Sequence, residues 1–297
     1  MPATIGFIGL GLMGRPMALN LRKKGFPLVV HSRSPAPVQA LVDAGAAAAD
    51  SPAEVAAEAD VVITMLPDSP DVQLVLAGPH GVFGAVRKGA VLVDMSTISP
   101  ALTRELAAQA GARGATMLDA PVSGGEIGAI DGTLSIMVGG SAEALERVRP
   151  VLEAMGRPDR IVHIGESGAG QIAKMCNQMA IATALAGVSE AFALARKAGV
   201  DPARVRQALL GGFASSRVLE VHGQRILDRN YVPGFRAQLF QKDLRIAGET
   251  LEAHQVAAPA SLAARDLVEA LIAAGRGALD YSALATVVFD KSGIREG

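Results

Sequence analysis

Residues 4–17 read TIGFIGLGLMGRPM. Residues 5–8 are a short apolar run with the length and pattern of a buried strand. They lead directly into Gly9-Leu10-Gly11-Leu12-Met13-Gly14, a G-x-G-x-x-G spacing, and an amphipathic pattern follows over 12–24. Glycine is common, so the spacing alone says little. A strand before it and a helix after it supply the context that makes it informative. Gly9 permits a tight turn, Gly11 lets the backbone approach a pyrophosphate, and Gly14 lets helix and strand pack closely. The helix start adds free N–H donors and the positive end of a dipole. Gly9, Leu10, Gly11, Leu12, Met13 and Gly14 are therefore a candidate phosphate loop. A purely structural glycine turn in some other α/β fold is the plain alternative.

Outward from this loop, short apolar runs alternate with helical patterns. Strands are expected at 4–8, 27–31, 61–66, 90–94 and 116–119, with helices at 12–24, 36–44, 52–57, 69–76 and 100–111. This alternation predicts a parallel α/β sheet. Apolar runs at 134–138 and 161–164 flank a helical pattern at 142–155. Beyond Gly165 the strand signals stop. Helices are expected at 168–198, 202–210, 217–228, 239–254 and 258–274, with a short one near 282–290. The fold class is α/β: a Rossmann-type dinucleotide-binding domain over 1–164, then an all-α domain over 165–297.

The end of the second strand should choose the cofactor. NAD-type sites place an acid there, about 20 residues after the glycine loop, to hold the ribose 2′-OH. Here the chain reads His31-Ser32-Arg33-Ser34, with no acid before Asp43. Ser32 and Arg33 suit a 2′-phosphate, so NADP is favoured over NAD. An arginine stacked on adenine would serve either cofactor. Ligands of such sheets lie beyond the carboxyl ends of the strands. That rule adds Leu66, Pro67, Ser96 and Thr97 as cofactor candidates. It also adds Ser123-Gly124-Gly125 as a cradle for a substrate carboxylate, where an ordinary tight turn is the simpler reading.

Composition narrows the class. The chain has 297 residues, 50% of them hydrophobic, with 28 basic against 29 acidic side chains and a net charge of −1. No basic run suggests nucleic acid as a partner. The stretch 175–189 is uncharged and proline-free but short for a bilayer span, so no membrane partner is expected. The only cysteine is Cys176, which excludes an intrachain disulfide and fits a reducing cytoplasm. It reads as a buried packing residue. The five histidines show no metal spacing, so no metal site is expected.

Residues 168–189 carry one charged side chain, Lys174, in a helical pattern otherwise rich in Ala, Ile, Leu, Met and Val. A helix apolar all round is buried. Most lysines are solvated, but one surrounded by apolar residues loses part of its preference for the charged form and can act as a proton donor. Gln171, Lys174 and Gln178 share a face, with Asn177 beside them. Arg236, Lys242 and Asp243 fall in or beside a helix start, where Asp243 could simply favour the dipole.

At these residues the chain resembles the β-hydroxyacid dehydrogenases. The resemblance is carried by GFIGLGLMGRPMALNL at 6–21, DAPVSGG at 119–125, GAGQIAKMCNQ at 168–178 and KDL at 242–244. Within the family, 124–140, 228–244 and the pair Asn177-Gln178 are similar to the tartronate semialdehyde reductase branch. His31 departs from the Asn common before Arg in NADP-using relatives. The resemblance implies Lys174 as the catalytic acid, and Ser123, Gly124, Gly125, Asn177 and Gln178 at the substrate. It implies Lys242 by the cofactor, a small semialdehyde or 3-hydroxy acid as substrate, and a homo-oligomer, dimer or tetramer. The expected reaction is reduction of tartronate semialdehyde to D-glycerate with NAD(P)H. The alternatives are 3-hydroxyisobutyrate oxidation, glyoxylate or succinic semialdehyde reduction, and a non-enzymatic NADP-binding sensor or scaffold. Imine reductases are similar to this family but lack the lysine.

Overall fold

The computed structural model describes residues 3–294. The chain divides into two compact units, Met1–Lys174 and Met175–Gly297. In the first, β1 (Ile5–Ile8), β2 (Leu28–His31), β3 (Ala47–Ala48), β4 (Val61–Thr64), β5 (Val91–Asp94) and β6 (Thr116–Asp119) lie parallel. β7 (Val122–Ser123), β8 (Leu134–Gly139) and β9 (Gly156–Gly165) complete the sheet. Its order is β3-β2-β1-β4-β5-β6-β8-β7, with β9 also paired to β8. This is the doubly wound arrangement, in which the chain order reverses beside β1 and ligands gather at the strand ends. β1, β4 and β5 are buried along their whole length, as their unbroken apolar runs require when helices cover both faces.

The sheet is not parallel throughout. β8 runs antiparallel to both β6 and β7. β6 and β7 thus run the same way and the chain reverses between β7 and β8, across residues 124–133; composition carries no mark of strand direction.

The helices of this unit are α1 (Gly14–Lys23), α2 (Pro35–Asp43), α3 (Pro52–Glu58), α4 (Ser69–Ala77), α5 (Pro100–Gly111), α6 (Gly125–Asp131) and α7 (Ala142–Glu153). Their starts follow from local chemistry. Ser51, Asp68, Ser99 and Ser141 each accept a backbone N–H of the helix they open, and proline occupies first-turn positions that need no N–H partner.

α8 (Ala169–Lys197) begins in the first unit and continues into the second. The second unit adds α9 (Pro202–Leu210), α10 (Arg217–Leu227), α11 (Ala237–Ala253), α12 (Pro259–Ala273) and α13 (Leu284–Lys291). Phe192, Phe240, Leu244, Val268, Leu284 and Phe289 form part of its core. By length and composition α8 could cross a membrane, but 39% of its most apolar 18 residues is buried within the protein. Its buried positions include the polar side chains Gln171, Gln178 and Ser189. The expectation of a helix buried all round is corrected here. Cys176 is exposed, because it lies on the opposite side of α8 from the buried Lys174, Met175 and Gln178, with Ala180 also exposed.

Candidate active site

The turn after β1 is fastened at once: the Gly9 N–H donates to the His31 carbonyl oxygen at the end of β2 (3.0 Å). Gly9 has φ 100°, and a Cβ there would lie 2.3 Å from the Met65 carbonyl oxygen. A Cβ on Gly14 would fall 1.9 Å from the Gly9 carbonyl oxygen. Packing explains both glycines. It does not explain Gly11, where a Cβ would meet nothing within 4 Å. A bare backbone at 11 suits a group that presses against the loop from outside.

α1 also lacks the side-chain cap that six other helices carry, and its first turn holds no acid. Its leading N–H groups thus face no competing carboxylate. A dinucleotide pyrophosphate fits these residues. Around the loop, Leu10 is buried, Leu12 is exposed, and Met13 is half-buried. Leu66 packs beside Gly9, Pro67 is exposed and Thr97 half-buried. Arg33 projects beyond β2 with its side chain 83% exposed, 3.5 Å from Asp71.

The ends of β4, β5 and β6 hold a buried polar network. Asp94 Oδ1 accepts the Thr64 hydroxyl (2.7 Å) and the Ser96 N–H (3.2 Å). Its Oδ2 is buried without a hydrogen-bond partner, and burial pushes its pKa up. Ser96 departs from its expected place at the cofactor. It is fully buried. Its hydroxyl accepts the Leu66 N–H (2.9 Å), and its carbonyl accepts Gln171 Nε2 (2.9 Å). The strand ends claim its polar groups, so it fastens the 65–67 turn instead. Gln171 also takes the Ile98 N–H (3.2 Å), a role no periodicity could reveal.

Asp119, at the end of β6, accepts the Gly168 N–H (2.8 Å) and the Gln171 N–H (2.9 Å). It therefore caps α8 from across the fold. Gly170 lets the helix come this close, since a Cβ there would lie 2.4 Å from the Met137 carbonyl oxygen. Burial outweighs the two N–H bonds and raises the Asp119 pKa.

This cap aims the first two turns of α8, and with them Lys174. The lysine is only 7% exposed, and its Nζ donates to the Val122 carbonyl oxygen at 2.8 Å. That carbonyl belongs to β7, one residue before Ser123. Ser123, Gly124 and Gly125 are not a simple turn. Ser123 ends β7, Gly124 (φ 141°) precedes α6, and Gly125 (φ 63°) opens it. The ammonium is thus held at the edge of this glycine-rich segment.

One turn further along α8, Asn177 Nδ2 donates to Gln178 Oε1 (2.8 Å). Gln178 is 3% exposed and donates through Nε2 to Asp243 Oδ2. Asp243 in turn pairs with Lys242 at 2.8 Å. Two expectations change. Gln178 does not face outward as a substrate contact, since both ends of its amide are committed and it orients Asn177. Asp243 is not at a helix start, because α11 begins at Ala237 and places Asp243 two turns inside, buried. Among the described residues no cluster of potential metal ligands forms.

Two family profiles together span most of the chain. "NAD binding domain of 6-phosphogluconate dehydrogenase" matches residues 4–165, and "NAD-binding of NADP-dependent 3-hydroxyisobutyrate dehydrogenase" matches 168–288. The 2-hydroxy-3-oxopropionate reductase of Escherichia coli is 46% identical over 94% of this chain and 95% of its own length. This chain belongs to the β-hydroxyacid dehydrogenases related to 3-hydroxyisobutyrate dehydrogenase. Members differ in substrate. The NAD-dependent L-serine dehydrogenase of Pseudomonas aeruginosa is 41% identical over 94% of this chain and 95% of its own. The solved structure of Mycobacterium tuberculosis 3-hydroxyisobutyrate dehydrogenase with L-serine superposes with a TM-score of 0.89, at 37% identity, covering 97% of this chain and 99% of that one. The protein is accordingly an NAD(P)-dependent 3-hydroxyacid dehydrogenase acting on a small molecule, and the expected family, fold class and cofactor type are borne out.

Proposed function

We propose that this enzyme reduces tartronate semialdehyde to D-glycerate, with NADPH as the favoured cofactor and Lys174 as the general acid. The carrying observation is the position of Lys174, buried and held by the Val122 carbonyl oxygen beside Ser123-Gly124-Gly125. A substrate carboxylate on Ser123, Gly124 and Gly125 would bring its carbonyl within range of this ammonium. Bound nicotinamide supplies the hydride. Lys174 Nζ gives its proton to the carbonyl oxygen, so no charged alkoxide has to persist, a contribution of about 10²–10⁴ in rate. Its anchor at Val122 fixes where that proton is offered.

The cofactor would lie against Gly9–Gly14, with Leu66, Pro67 and Thr97 alongside, Ser32 and Arg33 toward the ribose, and Lys242 assigned from the family resemblance. Ser96 supports this surface from beneath. Asn177, oriented by Gln178, would hold the reacting end of the substrate. The reading includes a soluble cytoplasmic homo-oligomer.

The choice among semialdehydes is supported by the likeness to the E. coli reductase and by a physical argument. Tartronate semialdehyde carries a C2 hydroxyl where methylmalonate semialdehyde carries a methyl. A site built to bond that hydroxyl leaves buried polar groups unpaired when a methyl arrives. Succinic semialdehyde adds a methylene between carboxylate and carbonyl and misplaces the latter. Initial rates for the three semialdehydes, each with NADPH and NADH, test the reading. The expected order of kcat/KM puts tartronate semialdehyde first. Preference for methylmalonate semialdehyde would move the enzyme to 3-hydroxyisobutyrate chemistry.

A further inference from the structure

We infer that Asp71 is a specificity-determining residue: it holds Arg33 against the pull of an adenosine 2′-phosphate and so limits the preference for NADPH over NADH. The inference rests on the reading of Arg33 as a 2′-phosphate ligand.

Arg33 lies just past β2, the position from which dinucleotide folds read the ribose 2′ substituent. Its Nη1 stands 3.5 Å from Asp71 Oδ1. Asp71 comes from the first turn of α4. α4 follows β4, and β4 and β2 flank β1 in the sheet. The acid missing from the His31–Ser34 segment of sequence is therefore supplied in space by another element.

The start of α2 makes this pair matter. Pro35 and Pro37 both fall in its first turn, and neither has an N–H. Ser34, at the cap, takes no bond from the helix. α2 thus offers a phosphate fewer backbone donors than the uncapped start of α1, and phosphate selection falls largely on Arg33. A phosphate monoester carries about −1.5 to −2 charges near neutral pH. To reach Arg33 it must displace a carboxylate and then stay near it. The neutral 2′-OH of NADH meets neither penalty. Arg33 favours NADPH and Asp71 subtracts from that favour.

The pair is exposed and screened, so its effect is moderate. Asp71→Asn should tighten NADPH binding roughly three- to tenfold and leave NADH binding unchanged. Dissociation constants for both cofactors, read from nicotinamide fluorescence or titration calorimetry at fixed ionic strength, test this. The set is wild type, Asp71→Asn, Asp71→Ala, Arg33→Ala and the Arg33→Ala/Asp71→Asn double variant. In the double variant the NADPH gain should shrink, because Arg33 is the group Asp71 restrains. Equal tightening of both cofactors, or no change in NADPH binding, overturns the role of Asp71. If Arg33→Ala weakens both cofactors alike, the 2′-phosphate reading of Arg33 itself has failed and the inference falls with it. If Arg33→Ala is selective for NADPH while both Asp71 variants are silent, the Asp71 inference alone is lost.

Discussion

In the first unit, the buried carboxylates Asp94 and Asp119 stand at the ends of β5 and β6, where Asp94 Oδ1 and both Asp119 oxygens take backbone N–H groups and a hydroxyl. In the second unit, Asp280 is buried among side chains that can themselves carry charge. It accepts the N–H groups of Gly234 (3.0 Å) and Phe235 (3.2 Å) and the Ser282 hydroxyl (2.6 Å). Arg225 lies 3.6 Å away and His222 4.0 Å away, and the Tyr281 hydroxyl is bonded to His222 Nε2 at 2.6 Å. The first arrangement aims backbone: it fixes where α8 starts and where Lys174 points. The second ties a loop to helices. The lesson is that burial of a carboxylate does not by itself mark chemistry. What its oxygens hold in place does.

The sharpest way to break this comparison is to remove what the first network aims. Lys174→Ala should lower kcat by about 10²–10⁴ while cofactor dissociation constants stay near wild type. Arginine at 174 should fail similarly, because it cannot release a proton near neutral pH. Turnover close to wild type in Lys174→Ala, measured under saturating cofactor, would remove the lysine from the mechanism and leave the network without its purpose.

Next in size is Asp119→Ala. It strips the acceptor from the Gly168 and Gln171 N–H groups and leaves both buried. Hydrogen bonds to a charged acceptor contribute ~1.5–3 kcal/mol each, and helix caps typically about 1 kcal/mol. A loss of about 3 kcal/mol, roughly 6–12 °C in Tm, is expected, with kcat falling as α8 loses its fixed start. Asp119→Asn keeps one good acceptor and should recover part of both. A Tm unchanged in Asp119→Ala would mean that the helix start is held by packing at Gly170 alone.

Much of the first unit was legible. Parallel strands buried on both faces are continuous apolar runs, and Gly9–Gly14 sat between a strand and a helix. Lys174 stood out as the single charge in 168–189. The failures have physical causes. β7 is two residues long, below any periodicity. α6 is opened by glycine and contains another, Gly128, so no helix was expected there. After Gly156, β9 runs through Arg157-Pro158-Asp159-Arg160, an exposed stretch with no apolar pattern. The roles of Ser96, Gln171 and Gln178 depend on partners distant in sequence, and one chain's sequence does not pair them. Asp280 and His222 carried no signal for the same reason.

The smallest expected effect is also the one that separates the two networks by sign. Asp94 is raised from its ordinary value of 3.8 by burial. The folded protein therefore holds that proton more tightly than the unfolded chain. Its contribution is full below about pH 4 and is lost as pH rises through the folded value. His222 is lowered from 6.5, first by burial and then by Arg225 and Arg217, although Asp280 opposes them. Its contribution is full above about pH 6.5 and is lost as pH falls through the folded value. The Tm gap between wild type and Asp94→Asn should thus shrink or reverse on going from pH 4.5 to 7.5, while the gap between wild type and His222→Gln should grow. Each change should be a few degrees, at ~2–4 °C per kcal/mol for a unit of this size. The chain has no tryptophan, and its two tyrosines, Tyr231 and Tyr281, both lie in the second unit. Tyrosine fluorescence therefore follows that unit alone, while circular dichroism follows both. Gaps that move in the same direction would show that the two clusters respond to acid alike, and the contrast between them would reduce to geometry.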